Sequence, residues 1–413
     1  MKTAIHRLLA LLALAGGMAL GTTTAQAHPH VWITAASQVL YAADGSITGV
    51  RHAWTFDDMF STYALQGIET KTKGVYSREQ LAPLAKDNVE NLREFGFFTF
   101  AKADGKRIWT YRHAMVPAEM PTKLLVIGSG AIGIEFASFY NDMGAEVTVV
   151  EMLDRIVPVE DADVSAFLEK ALKKQGMTIM TGAGVEKIET NASGVKTSIK
   201  GKDGKVVTGD YSHVIVAIGI VPNTEEIGLE ALGVKTERGH IVTDGTCKTN
   251  VDGLYAIGDV TAPPWLAHKA SHEGVIAVEA IAGKHPHAMD PLNIPGCTYC
   301  HPQIASVGLT EAKAKEAGYE VKAGTFPFIG NGKAIALGEA EGFIKTVFDA
   351  KTGELLGAHM IGAEVTELIQ GYAVGKTLET TEAELMNTVF PHPTLSEMMH
   401  ESVLAAYGRQ LHM

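Results

Sequence analysis

The chain has 413 residues, 46% of them hydrophobic and 20% charged, with a net charge of −12. That length allows two to four domains with sizeable cores, and the acidic balance, with no basic run, argues against a nucleic-acid partner. Three cysteines, Cys247, Cys297 and Cys300, are too few for a disulfide framework.

The chain opens with Lys2 and Arg7, an apolar run over 8–20, and then Ala25-Gln26-Ala27. Charged, apolar and small residues in that order predict a secretory signal peptide over 1–27. The apolar run is short and broken by glycine, so no stable membrane span is expected. Next come "VWITAASQVLYA" and "ITGVRHAWTF", which read as two strands around the turn "ADGS". "SREQLAPLAKDNVENLREFG" reads as a helix with Ser77 as N-cap and Gly96 at its end. His28, carrying the free amino group after cleavage, could chelate a transition metal with His30, and Asp57 and Asp58 could add oxygens. A solvated terminus and a polar loop account for the same residues, so no metal site is assigned. Residues 1–106, with "HPH" after the signal and "HAWTFDDMFS" as the second strand, resemble the start of a family of small uncharacterised bacterial periplasmic proteins.

From Met120 the text changes. "KLLVIGSGAIGIEFASFYNDMGAEVTVVE" predicts strand, glycine turn, helix, strand. Gly128, Gly130 and Gly133 make G-x-G-x-x-G. The first permits the tight turn, the second lets backbone approach a pyrophosphate, and the third lets the helix pack on the strand. Ser129, Ala131 and Ile132 fill that turn, and phosphates would sit at the helix N-terminus. Glu151 ends the second strand about 20 residues on, where a carboxylate accepts from a ribose 2′-OH and repels a 2′-phosphate. NAD is therefore expected over NADP, with Arg155 nearby as the counter-signal.

A β-meander follows and returns to a last buried strand over 213–218. "GLYAIGDV", 253–260, reads as an apolar strand ending at Asp259, placed either to hold a ribose or ribityl hydroxyl or to cap the next helix. "AHKASHEGVIAVEAIAG" reads as a helix ended by Gly283. From about Asn293 the pattern becomes that of an α+β domain. "PQIASVGLT", "GTFPF" and "GFIKTVFDAKTGELLGAHMIG" are strand-like; "TEAKAKEAG", "AEVTELIQGYAVGKTLE" and "SEMMHESVLAAYG" are helical. "TLSE" has the spacing of a capping box, with Thr394 as N-cap and Glu397 at N3.

The motifs "VIGSGAIGIEFA", "VTVVE", "VAIGIVPNT", "GLYAIGDV", "LAHKA" and "FPHPTLSE" carry a resemblance to the dihydrolipoamide dehydrogenases of the pyridine nucleotide–disulfide oxidoreductase family, from about Asp104 to Met413. The resemblance implies roles. Gly128, Gly130, Gly133, Glu151 and Gly219 match the NAD site, and Glu135 matches the acid beside the nicotinamide. Asp259 and the run Trp265, Leu266, Ala267, His268 match the flavin site. His392 and Glu397 match the pair that moves the dithiol proton across a homodimer. It also implies FAD, and a lipoyl-bearing subunit of a 2-oxoacid dehydrogenase complex as partner.

Two parts of that family's pattern are missing. No G-x-G-x-x-G precedes Gly128, and no C-x-x-x-x-C occurs anywhere in the sequence. Cys297-Thr298-Tyr299-Cys300 is no replacement, since residues three apart on a strand face opposite sides and their sulfurs diverge. The two resemblances meet at "ADGK", as a recombination or read-assembly join would leave them.

The expected fold class is α/β: a Rossmann-type NAD-binding domain, an incomplete flavin-binding domain and a C-terminal α+β dimerisation domain, preceded by a small α+β fragment. The expected boundaries are 1–27 signal peptide, 28–103 fragment, 104–120 linker, 121–219 NAD-binding domain, 220–292 flavin-domain remnant, disordered or sticky, and 293–413 dimerisation domain. NAD binding without catalysis is the alternative to dehydrogenase activity, and a metal-associated periplasmic protein is a third. The localisation signals conflict: the leader implies the periplasm and the enzyme half the cytoplasm.

Overall fold

The computed structural model describes residues 33–41, 47–56, 61, 64, 65, 68, 76–93, 107–191 and 194–412. The signal peptide, His28, His30, Asp57, Asp58, the "ADGS" turn and the "ADGK" junction lie outside the described residues. The chain divides into two compact units, 1–100 and 101–413.

In the first unit, β1 (Ile33–Tyr41) and β2 (Ile47–Phe56) form an antiparallel hairpin with Ile33 opposite Phe56. Helix α1 (Arg78–Arg93) follows. Ser77 caps it reciprocally: its N–H donates to Gln80 Oε1 at 2.7 Å, and Gln80 N–H donates to Ser77 Oγ at 3.3 Å. The predicted strands and cap are present; the helix ends at Arg93, and Gly96 lies outside the described residues.

The second unit begins with β3 (Ile108–Trp109) and α2 (Tyr111–Met115). Then come β4 (Lys123–Ile127), α3 (Ala131–Asp142), β5 (Glu146–Val150), α4 (Ala162–Lys174) and β6 (Thr178–Met180). An antiparallel meander, β7 (Gly184–Asn191), β8 (Gly194–Lys200) and β9 (Val206–Tyr211), leads to β10 (His213–Val216). The central sheet runs β3-β10-β4-β5-β6, with every pair parallel.

Burial on both faces explains the apolar runs in β4 and β5. Leu124 and Val126 join Ile134, Ala137 and Tyr140 of α3 and Leu168 and Leu172 of α4 in one core. Leu125 and Val214 point to the other face, where Val195, Ile199 and Tyr211 of the meander cover them. Each such fully buried aliphatic side chain contributes about 1.5–3 kcal/mol. The last strand ends at Val216, two residues short of the expected end.

Residues 220–292 correct one expectation. The stretch 253–257 is not a strand of a sheet. It makes a single antiparallel bridge, Tyr255 with Lys248, and then a 3-10 turn over Gly258–Val260. The strands that its parallel sheet would need as neighbours are not supplied by the text around it, so its backbone closes locally. The region is nevertheless built, with a short ribbon of β11 (Thr236–Glu237) and β12 (His240–Ile241) and helix α5 (Ala267–Ile281). Two small clusters hold it, one of Leu229, Ile241 and Ala256 and one of Cys247, Ile276 and Ala277. Ile227, Leu232, Val275, Val278 and Ile281 remain exposed. The region thus packs around these two clusters and leaves apolar side chains on its outside.

The C-terminal part is an antiparallel sheet in the order β13-β14-β17-β16-β15, from β13 (Gly296–Thr298), β14 (Gln303–Gly308), β15 (Val321–Pro327), β16 (Phe343–Asp349) and β17 (Leu355–Gly362). Short helices α6 (Glu311–Glu316) and α7 (Gly332–Leu337) interrupt it, and α8 (Val365–Thr377), α9 (Glu382–Asn387) and α10 (Glu397–Ala406) follow. Ile369 and Tyr372 of α8 and Met398 and Val403 of α10 pack on Ile344, Phe348 and Met360 of the sheet. Phe343, Ile361 and Cys300 reach instead into the core of the parallel sheet, so the two parts share a core.

Candidate functional site

The carboxyl ends of β4, β5 and β10 form one edge of the parallel sheet, the place where open α/β sheets bind ligands. Gly128 turns the chain there with φ +98°; a Cβ at this residue would meet Ala217 O at 2.4 Å. A Cβ on Gly133 would meet Gly128 O at 2.0 Å, so helix and turn touch backbone to backbone. Gly130 differs: it caps α3, and a Cβ on it would find nothing within 4 Å. Gly128 and Gly133 are thus held by close backbone contacts, and Gly130 faces open space.

Ala131 and Ile132 are exposed in the first turn of α3, and Ser129 is fully buried. Gly219 lies beyond β10 on the same edge, exposed, with φ +135°. Glu151 follows β5 directly. Its Oε2 accepts from Ser129 N–H at 2.9 Å and from Ser129 Oγ at 2.7 Å, and its Oε1 accepts from Leu153 N–H at 2.9 Å. Partial burial pushes this carboxyl up, but the donors at Leu153 and Ser129 outweigh that and hold it below the usual carboxylate range. It is an anion at neutral pH. Arg155 donates to Pro158 O at 2.8 Å and is engaged within its own loop. An open cleft of about 430 Å³ adjoins this edge, lined by Met152, Gly182, Ala183, Val185, Lys200 and Lys202.

Glu135, on α3, accepts from Tyr299 N–H at 2.9 Å across the contact with the C-terminal part. The remaining predicted residues form two separate groups. In the first, Asp259 is exposed in the 3-10 turn. Trp265 stacks on His240 with ring centroids 5.0 Å apart and donates to Thr261 O at 3.0 Å. Leu266 and Ala267 start α5, and His268 Nε2 lies 2.8 Å from Pro295 O. Sequence reasoning missed what holds this group. Lys269, buried, and Glu273, partly buried, pair at 2.7 Å, and Glu273 Oε2 accepts from Gly258 N–H at 2.8 Å. Their i,i+4 spacing was the available signal.

In the second group, His392 Nδ1 lies 2.9 Å from Glu397 Oε1, with the His392 side chain 80% exposed. Glu397 Oε2 accepts from Thr394 N–H at 2.8 Å, one half of the expected capping box. The other half is absent: α10 begins at Glu397 after Ser396, and Thr394 Oγ1 donates to Pro391 O at 2.7 Å. A carbonyl within reach outcompetes the more distant helix N–H.

Cys247, Cys297 and Cys300 are free thiols. Cys300 is buried, its Sγ 3.1 Å from Pro302 O, and burial pushes its thiol up to about 12. Burial also raises Cys297 and Cys247. No thiolate is favoured at any of them. Among the described residues no helix is long and apolar enough to cross a membrane.

Residues 94–274 match the family described as pyridine nucleotide-disulphide oxidoreductase, and residues 294–403 match the dimerisation domain of the same family. Residues 12–125 match a family described as a protein of unknown function, DUF1007. The chain is 64% identical over 311 residues to a dihydrolipoyl dehydrogenase of Zymomonas mobilis, covering 75% of this chain and 67% of that protein. It is 60% identical over 309 residues to one of Rhizobium etli, covering 75% and 64%. The chain thus spans about two thirds of the length of these curated relatives. Among solved structures, LpdA of Mycobacterium tuberculosis superposes with a TM-score of 0.67 at 30% identity, covering 73% of this chain and 65% of that one. The HOCl-induced flavoprotein disulfide reductase RclA of Escherichia coli gives 0.67 at 26%, covering 72% and 68%. With both family domains matched in succession and 64% identity over two thirds of a curated relative, the chain belongs to the pyridine nucleotide-disulphide oxidoreductase family.

Proposed function

We propose that residues 104–413 derive from a dihydrolipoyl dehydrogenase and that this chain retains its NAD(H)-binding part. The inherited reaction is dihydrolipoamide + NAD⁺ → lipoamide + NADH + H⁺: a dithiol loses two electrons and two protons, and NAD⁺ takes a hydride. The observation that carries the reading is Glu151, an ionised carboxylate fixed at the end of β5 beside the open Gly130 turn. NAD fits the residues present. The Gly128–Gly133 turn and the N-terminus of α3 would take the pyrophosphate, and Glu151 a ribose hydroxyl. When bound, NAD supplies a hydride acceptor; Glu135 is the acid on α3 available beside it.

The family uses FAD as well, and here the residues do not fit. Asp259 and 265–268 are one side of a flavin site only; the sequence has a single G-x-G-x-x-G and no paired redox cysteines. No step through a flavin is derived. His392 and Glu397 keep the geometry of a general base held by a carboxylate, with no disulfide in this chain for them to serve. We infer NAD(H) binding without lipoamide turnover. Residues 28–103 are the separate small fragment, 220–292 the flavin-domain remnant and 293–413 a homodimerisation domain; the lipoyl-bearing partner and a cytoplasmic setting belong to the parent enzyme. Calorimetric titration with NAD⁺ and a lipoamide-dependent NADH oxidation assay test the reading together. Binding without turnover supports it, no heat at millimolar NAD⁺ removes the binding half, and steady lipoamide turnover removes the inactivity half.

A further inference from the structure

We propose that the Ser129 hydroxyl is a positioning group that fixes the Glu151 carboxylate and thereby sets the preference for NAD(H) over its 2′-phosphorylated form. This rests on the reading of the site as an NAD(H) site.

Ser129 stands between the first two glycines of the turn, a position that the glycine pattern leaves free. Its side chain does not face the open space beside Gly130. It is fully buried and turned back across the sheet edge, where its hydroxyl and its N–H both donate to Glu151 Oε2, at 2.7 and 2.9 Å. Hydroxyl-to-carboxylate bonds of that length are among the stronger hydrogen bonds in proteins. The residues lie 22 positions apart, on the ends of adjacent strands β4 and β5. Ser129 O also accepts from Val157 N–H at 3.0 Å, which ties the loop after Glu151 to the same turn. Leu153 N–H holds the other carboxylate oxygen at 2.9 Å. Both oxygens are fixed in direction before any ligand arrives. A fixed, ionised carboxylate accepts from a ribose hydroxyl and repels a 2′-phosphate, whereas one free to rotate or take up a proton does both less well. The hydroxyl also helps hold the carboxyl in its ionised form, against the burial that pushes it up.

The test is a double-mutant cycle read by NADH and NADPH fluorescence titration on the full chain, with Ser129→Ala, Glu151→Gln and the pair. Ser129→Ala is expected to cut the NADH-to-NADPH affinity ratio about tenfold, the scale of losing one charge-assisted hydrogen bond. In the Glu151→Gln background, Ser129→Ala should change the ratio by less than about twofold, because its effect runs through the carboxylate. A structural role in the turn would instead give the same loss in both backgrounds and overturn the proposal, as would an unchanged ratio in the single variant. If the alanine variant melts early, Ser129→Cys, close in volume with only a weak donor, gives the same readout. Unmodified chain that binds neither nucleotide overturns the site reading itself and the proposal with it. Normal NADH binding with an unaltered ratio in the variants overturns the proposal alone.

Discussion

Lys345 Nζ, on β16, lies 3.0 Å from Oδ1 of Asp161, the N-cap of α4, and both side chains are 5% exposed or less. The pair joins the C-terminal sheet to the nucleotide-binding part. Asp163 and Glu311 complete the ring around the ammonium, at 2.6 and 2.8 Å. Burial works against the Lys345 charge, but the bonds to Asp163, Glu311 and Asp161 outweigh it and push the lysine above its ordinary range. Asp161 is held below its ordinary value by Lys345 and by Asp163 N–H, against the burial that raises it. Removing one partner of a buried pair leaves an uncompensated charge, so Lys345→Met should destabilise the second unit by about 3–5 kcal/mol. Urea unfolding midpoints measure it. The pH dependence follows from the shift directions. Asp161 and Glu311 are lowered, so their contribution is present above their ordinary values of 3.8 and 4.5 and lost as pH falls below them. Lys345 is raised, so its contribution is complete below 10.5 and lost only above it. Stability from this cluster should be flat near neutrality and fall on acidification, and Lys345→Met should flatten the acid limb.

The three glycines of the turn should separate by assay. Gly133→Ala drives a methyl to 2.0 Å from Gly128 O and should cost more than the ~1–3 kcal/mol typical of overpacking. Gly130→Val meets no atom within 4 Å of its Cβ, so its melting temperature should stay within a few degrees of the parent while NADH binding is lost. A Gly130→Val variant that still bound NADH normally would remove the phosphate role from this turn.

Thiol counting checks the cysteines. With its thiol near 12, Cys300 should be only ~10⁻⁴ thiolate at pH 8 and inert to an aromatic disulfide reagent in the folded chain. Cys247, also buried and raised, should behave alike. All three should react after unfolding without reductant; fewer than three would reveal a disulfide.

Helix α5 leaves Val275, Val278 and Ile281 exposed. An apolar face of this kind makes a chain self-associate. Replacing Val275 and Val278 by glutamate and Ile281 by lysine should reduce dye binding and light scattering, with little loss of thermal stability because none of the three is buried. Unchanged scattering would place the sticky surface elsewhere.

Much of the candidate nucleotide site is legible in the sequence. The apolar run 123–127, the glycine spacing and Glu151 follow from local rules with fixed distances: a strand buried on both faces, a turn that needs a positive φ, and a carboxylate at a strand end. The 253–257 stretch was misread because an apolar run becomes a strand only when neighbours supply the ladder, and neighbours are not written in the run itself. Thr394 was misread because a nearby carbonyl took its hydroxyl.

The sequence by itself determined the βαβ turn and the family. The turn depends on residues within about 30 positions, where chain geometry leaves few choices, and the family on motifs spread between 126 and 397. Only the tertiary structure decided that Ser129 serves Glu151, that Lys345 of a late strand neutralises Asp161, and that Glu273 holds the turn before Asp259. Hydrogen bonds and ion pairs are short-ranged, so which distant donors and acceptors meet is settled by how the sheets and helices stack, not by the order of residues.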